Sequence, residues 1–211
     1  MIIDVWSDVV CPWCFIGKRR LEKALASIPE PQRSEIEVRH RAFQLQPDIQ
    51  ETTPTSMLLA QKYKLDIDQV RQMQANVCSI ADGEGLCYDL GSTLSGNTVD
   101  AHRLLAWAKE IGKEDLLLEA MYSNYFEKSK PLFSHEDLLA IVTEVGLDVG
   151  AAQEILESDK FADQVKADAQ LASQLGANGV PFFVIDMKYG ISGAQPLEVF
   201  EGTIAKALAE A

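Results

Sequence analysis

A Cys-x-x-Cys pair set between a strand-like and a helix-like segment constrains this chain more than any other feature. Residues 1–6, Met-Ile-Ile-Asp-Val-Trp, read as a short buried strand. Beyond the pair, Leu21, Ala24, Leu25 and Ile28 recur at helical spacing. Between them stands Ser7-Asp8-Val9-Val10-Cys11-Pro12-Trp13-Cys14-Phe15-Ile16-Gly17. The cysteines therefore fall at a helix N-terminus, where unpaired N–H groups and the helix dipole favour negative charge. A thiolate is such a charge. Cys11, on the first turn, is the expected nucleophile; Cys14, one turn inside, is the expected resolving thiol. Pro12 suits the first turn because no needed helical donor is lost there. Half a zinc site and two inert thiols compete as readings of the motif alone. The strand–motif–helix context favours redox work.

The 211 residues allow one large domain or one domain carrying an insertion. No apolar run approaches the ~20 residues of a transmembrane helix, and no basic-then-apolar leader precedes the motif. The expectation is a cytoplasmic protein without a signal peptide. A net charge of −13 opposes binding to nucleic acid or anionic membranes; solubility is its simplest role. Four cysteines are too few for a disulfide scaffold.

Residues 35–45 alternate apolar and polar, with Ile36, Val38, Phe43 and Leu45 suggesting a strand and an irregularity expected near His40-Arg41-Ala42. Strand, motif helix and strand form a β-α-β opening, so these two strands should be parallel. From about Thr55 to Gly176 the pattern is almost wholly helical. Thr55 is the expected cap of a helix over 56–64, Asp66 of a second helix, and Asn97 or Thr98 of a third ending at Gly112. A fourth helix is expected over 116–128. Ser134 with Asp137 forms a capping pair for a fifth, ended by Gly146, and Ser158 is the expected start of a long sixth, stopped by Gly176. Residues 180–186 then read as a strand, joined by a turn near 186–188 to a partner at 189–193. Pro196 opens a last helix with Leu197, Phe200, Ile204 and Leu208 inward. Without the central helices, a four-stranded sheet flanked by helices remains, an α/β layer architecture.

Pro181 heads a strand, where a missing N–H is tolerated. An ordinary trans proline and a cis proline are both open; a cis bond would turn the Val180 backbone toward the Cys11 sulfur. Free backbone groups there could pair with an extended peptide. With the early Cys11-Pro12-Trp13-Cys14 and the late Gly179-Val180-Pro181, the chain resembles the thioredoxin-fold proteins of the DsbA family. It is most similar to the FrnE-like branch, related to 2-hydroxychromene-2-carboxylate isomerases. Asp4-Val5-Trp6-Ser7-Asp8, Asn97-Thr98-Val99-Asp100-Ala101-His102-Arg103-Leu104, Val180-Pro181-Phe182-Phe183-Val184-Ile185 and Ile191-Ser192-Gly193-Ala194-Gln195 carry the rest of the resemblance.

The resemblance implies an α/β thioredoxin fold with a large all-helical insertion. Residues 1–52 and 158–211 would form the thioredoxin-like domain, and 53–157 the insertion. It implies thiol–disulfide oxidoreductase chemistry on protein or small-molecule thiols, through a mixed disulfide that Cys14 resolves. Pro12, Trp13, Val180 and Pro181 would shape the substrate contact, and Pro181, if cis, would sit against the Cys11–Cys14 pair and help exclude a metal. No cofactor or metal is called for, and monomer and homodimer both stay open. A small-molecule isomerase or kappa-class glutathione transferase activity is the second reading. Those relatives carry serine where this chain has Cys11, which favours redox work here. A non-catalytic partner-binding module is the third.

Cys78 and Cys87 enclose eight residues with two glycines, Gly83 and Gly85, so the chain can fold back between them. Two unlinked thiols, an auxiliary redox pair and a pair of zinc ligands all fit this spacing. His102 reads most simply as a helix-face residue, and His40 and His135 belong to no constellation. No Ser/His/Asp set, paired carboxylates or glycine-rich phosphate loop is evident.

Overall fold

The computed structural model describes residues 1–210; the final residue of the expected 158–211 segment lies outside the described residues. Strand β1 (Ile2–Ser7) leads into helix α1 (Pro12–Ala26), and a 3-10 turn at Gln32–Glu35 precedes strand β2 (Glu37–Ala42). A pair of two-residue strands, β3 (Thr53–Pro54) and β4 (Leu94–Ser95), brackets helices α2 (Thr55–Tyr63) and α3 (Ile67–Gly83). Helices α4 (Val99–Glu110), α5 (Glu114–Tyr122), α6 (His135–Glu144), α7 (Val149–Leu156) and α8 (Ala162–Gln174) follow, with a π-helical turn at Ser123–Glu127 continuing α5. Strands β5 (Phe182–Ile185) and β6 (Tyr189–Ser192) and helix α9 (Leu197–Ala209) complete the described chain. Two compact units result, one of Met1–Leu45 with the chain from Lys166 onward, the other of Gln46–Val165.

In the first unit the sheet runs β2-β1-β5-β6. β1 is parallel to β2, with Ile2 opposite Glu37 and Ser7 opposite Ala42. It is antiparallel to β5, with Ile3 opposite Ile185 and Trp6 opposite Phe182. The two-residue period of a strand sorts its side chains between two faces. Ile3 and Val5 join Phe183, Ile185 and Ile191 under Leu21 of α1 and Phe200 and Ile204 of α9. Trp6 joins Phe182, Val184 and Ala172 of α8 on the other face. Each fully buried side chain of this size contributes about 1.5–3 kcal/mol, so the doubly covered β1 anchors the unit.

A buried ion network lies on the Trp6 face. Arg41 donates to Asp4 Oδ1 at 2.8 Å and to Asp168 Oδ1 at 3.1 Å. Asp168 Oδ2 also accepts the Ala42 amide, and its carbonyl accepts the Trp6 indole N–H at 2.8 Å. This corrects the expected irregularity in β2. His40, Arg41 and Ala42 pair in unbroken register with Val5, Trp6 and Ser7. The charge that interrupts the apolar pattern is compensated in place, and the strand stays regular.

The second unit carries its helices on local caps. Asp66 and Gln69 form a capping box at α3, and Ser134 and Asp137 another at α6. Asn97 Oδ1 accepts the Val99 amide at 2.9 Å at the start of α4. Thr55 is the first residue of α2 and its hydroxyl pairs with that of Ser95, so it does not cap the helix. The helix expected over 116–128 is α5 with the π-helical turn. α7, capped by the Asp148 side chain on the Ala151 amide, has no counterpart in the sequence expectation. α8 begins at Ala162, not at Ser158, because buried Arg103 takes the Ile155, Ser158 and Lys160 carbonyls and holds that stretch as a loop. Among the described residues, no helix is long and apolar enough to cross a membrane.

Candidate active site

The loop between β1 and α1 folds as a tight turn, with the Cys11 amide donating to the Asp8 carbonyl at 3.1 Å. Cys11 is the N-cap of α1, with extended backbone (φ −92°, ψ 112°), and Pro12 follows at the first helical position. The Cys14 amide donates to the Cys11 carbonyl at 2.9 Å, so one turn of helix stacks the two cysteines. Cys11 therefore stands one position earlier than expected, just outside the helix rather than within it. Both sulfur-bearing residues are buried, at 3% and 2% exposure, while Trp13 between them is 36% exposed.

The Cys14 thiol is held protonated well above the ordinary range. Burial is the main cause, followed by its hydrogen bond with the Cys11 side chain and the charge of Cys11; the Asp8 carboxylate adds to it, while the Asp8 backbone pulls the other way. Asp8 is itself 1% exposed, and its Oδ2 accepts the Leu45 amide at 2.7 Å.

From the far end of the chain, Val180-Pro181 supplies the opposite wall. The peptide bond between them is cis, as is that between Glu30 and Pro31, where no local pattern marks a cis bond. The Cys11 thiol donates to the Val180 carbonyl at 3.5 Å. Pro181 stands just before β5, and its carbonyl accepts the Gly193 amide at 2.8 Å. Gly193 has φ +80°, a left-handed conformation that glycine adopts without Cβ strain.

Cys11, Cys14 and Val180 are thus brought together, with Pro12, Trp13 and Pro181 flanking them. Two further contributors, Gly17 and Asp8, are given no role by the sequence analysis. A Cβ on Gly17 would sit 3.0 Å from both Phe183 Cζ and Pro181 Cγ, so Gly17 lets α1 approach the proline closely. Asp8 places a buried carboxylate near Cys14. A polar residue three positions before a Cys-x-x-Cys is the one hint that could have drawn attention to it.

Cys78 and Cys87 lie in the second unit, both as free thiols, Cys87 exposed and Cys78 half-buried. His102 is buried in α4 of that unit. Among the described residues, no group of three or more His, Cys, Asp or Glu side chains converges as a metal site.

A family profile described as a DSBA-like thioredoxin domain matches residues 2–205. The chain belongs to this family. Among solved structures, the DSBA-like chain is similar to a probable DsbA oxidoreductase from Streptomyces coelicolor, at 41% identity and TM-score 0.95, over 100% of this chain and 91% of the other. It is 26% identical to the uncharacterized protein YwbO of Bacillus subtilis over 96% of this chain and 95% of that protein. The cytosolic disulfide reductase DsbM of Pseudomonas aeruginosa shares its fold, with TM-score 0.71 at 16% identity over 100% of both chains. The DSBA-like protein is a thiol oxidoreductase in this general sense, built on a thioredoxin fold with many added helices.

Proposed function

We propose that this DSBA-like protein exchanges disulfides with protein or small-molecule thiols through Cys11 and Cys14. The observation that carries the reading is the placement of Cys11. Its sulfur stands at the N-cap of α1, one turn from the protonated Cys14 thiol and 3.5 Å from the Val180 carbonyl.

In the reducing direction, the Cys11 thiolate attacks one sulfur of a substrate disulfide. The substrate S–S bond breaks, one substrate thiolate leaves, and a Cys11–substrate mixed disulfide forms. Cys14 then attacks the Cys11 sulfur, closing the Cys11–Cys14 disulfide and expelling the second substrate thiolate, which takes the proton that Cys14 gave up. The substrate gains two electrons and the enzyme pair loses them; a dithiol donor restores the pair. The N–H groups at the start of α1 stabilise the Cys11 thiolate as attacking and as leaving group. The high proton affinity of Cys14 keeps it from competing as first nucleophile. Trp13, the exposed member of the motif, and the backbone of Val180 are the surfaces a substrate chain would meet.

The compartment and direction follow as part of the same proposal. The likeness in fold to a cytosolic reductase supports cytoplasmic work. A cytosol poised at roughly −220 to −320 mV keeps most dithiol pairs reduced, which favours reductase or isomerase turnover.

Dithiothreitol-coupled insulin reduction tests the proposal. Wild type should turn over. Cys11→Ser should lose activity entirely, and Cys14→Ser should accumulate a mixed disulfide that dithiothreitol releases. Turnover that survives Cys11→Ser would overturn the mechanism. A wild type inert toward disulfides but active in a glutathione-dependent isomerisation would replace it with the isomerase reading.

A further inference from the structure

Beyond the active pair, the second unit places its two cysteines along one line of contact. The chain leaves α3 at Gly83 and returns antiparallel along it. The Leu86 amide donates to the Ala81 carbonyl at 3.0 Å. The Cys78 thiol donates to the Tyr88 carbonyl at 3.7 Å. The Gln74 side-chain amide donates to the Leu90 carbonyl at 2.9 Å. The helix partners step back through 81, 78 and 74, along one face, while the returning segment steps forward through 86, 88 and 90. Three or four helical residues cover about 4.5–6 Å and two extended residues about 6.6 Å, so the two runs stay in step. Cys87, between Leu86 and Tyr88, lies opposite the helix between Ala81 and Cys78.

The segment is also clamped from its other side. The Cys87 amide donates to Glu127 at 3.2 Å, and the Asp89 amide to the Phe126 carbonyl at 2.7 Å. The Tyr88 ring stacks on Phe126 at 4.9 Å. The backbone on either side of Cys87 is thus fixed between α3 and the π-helical turn; closing a disulfide asks of it a Cα–Cα span of about 4.4–6.8 Å.

We infer that Cys78 and Cys87 form a second dithiol–disulfide site, separate from the Cys11–Cys14 pair. Its two sulfurs have different roles. Cys87 is exposed and meets the oxidant; Cys78, half-buried on the helix, resolves. With a small-molecule disulfide such as oxidised glutathione, the Cys87 thiolate attacks one sulfur, and one glutathione thiol leaves. Cys78 then attacks the Cys87 sulfur, and the second glutathione thiol leaves with the Cys78 proton. The cysteines lose two electrons and two protons; the glutathione disulfide gains them as two thiols. The product is a staple joining the last turns of α3 to the segment that folds back along it. A zinc reading has no third ligand among the described residues.

The test uses the full chain as Cys11→Ser/Cys14→Ser, so that the active pair supplies no thiol and its own chemistry does not enter. After treatment with oxidised glutathione, denaturing alkylation should find no free thiol, at a mass two hydrogens below the reduced protein. Cleavage after Glu84, which lies between the cysteines, should release two fragments joined until dithiothreitol is added. Adding Cys78→Ser should leave a stable glutathione adduct on Cys87. Two alkylatable thiols after oxidation, or an end product with glutathione on Cys87 and Cys78 free, would overturn the inference.

Discussion

The Asp8 carboxylate accepts the Leu45 amide at 2.7 Å while lying close enough to Cys14 to raise its proton affinity. The two duties separate by substitution. Asp8→Asn keeps an acceptor for the amide and removes the charge, so Cys14 should ionise at lower pH. The pH dependence of Cys14 alkylation in a Cys11→Ser background reads this shift. Asp8→Ala leaves a buried amide unpaired as well, at a cost of about 1–3 kcal/mol, measurable by urea unfolding.

Cys14 also links stability to pH in the reduced protein. Its proton is bound more tightly in the fold than in the unfolded chain, where an ordinary thiol ionises near about 8.5. Below that pH both states are protonated and the stabilisation is complete. As pH rises past it, the unfolded chain releases its proton first, and stability keeps falling until the pH passes the raised folded-state pKa. The difference in unfolding midpoint between reduced wild type and Cys14→Ser should therefore change between pH 7 and pH 10, wild type losing more.

Gly17 separates α1 from Pro181 and Phe183 by the width of a missing methyl. Alanine there gains about 1 kcal/mol of helix propensity over glycine, and the 3.0 Å contacts give most of it back. Gly17→Ala should be nearly neutral. Gly17→Val adds bulk that the wall cannot absorb and should cost about 1–3 kcal/mol. It should also lower insulin-reduction turnover, because the displaced residue, Pro181, adjoins the carbonyl that faces Cys11.

Arg41 compensates Asp4 and Asp168, whose side chains are nearly enclosed. Removing one member of a fully buried network costs about 3–5 kcal/mol. Arg41 keeps 26% of its side-chain exposure, so water softens the loss, and Arg41→Met should cost about 2–3 kcal/mol. Asp4→Asn combined with Arg41→Met should cost less than the sum of the single changes, since they remove the same interaction.

The opening strand, the motif and its helix are legible in the sequence because their signals are local: a short apolar run, two cysteines three apart, and apolar residues at helical spacing. The Asp66 cap and the Ser134–Asp137 capping pair are legible for the same reason, whereas the return bond of Gln69 to Asp66 emerges only in the structure. α7 is not. It spans two turns, too short for propensity to decide, and stands because Ala152, Ile155 and Leu156 are buried. The pairs Thr53–Ser95 and Pro54–Leu94 are too brief to show a period. Arg41 looks like a break in β2 because one of its partners, Asp168, lies 127 residues away. At the site, the residue types were readable from spacing, whereas the part of Gly17 depends on a contact with Pro181 that no local pattern contains.

The Cys11–Val180 contact joins residues 169 apart. A ribosome adding about 5–20 residues per second needs roughly 8–34 s to make the intervening chain. Throughout that interval the emerging dithiol has neither β5 beside its strand nor Val180 facing its sulfur. The contact that sets Val180 against the Cys11 sulfur therefore belongs to the last stage of the chain's synthesis, when the late strands have been made and docked.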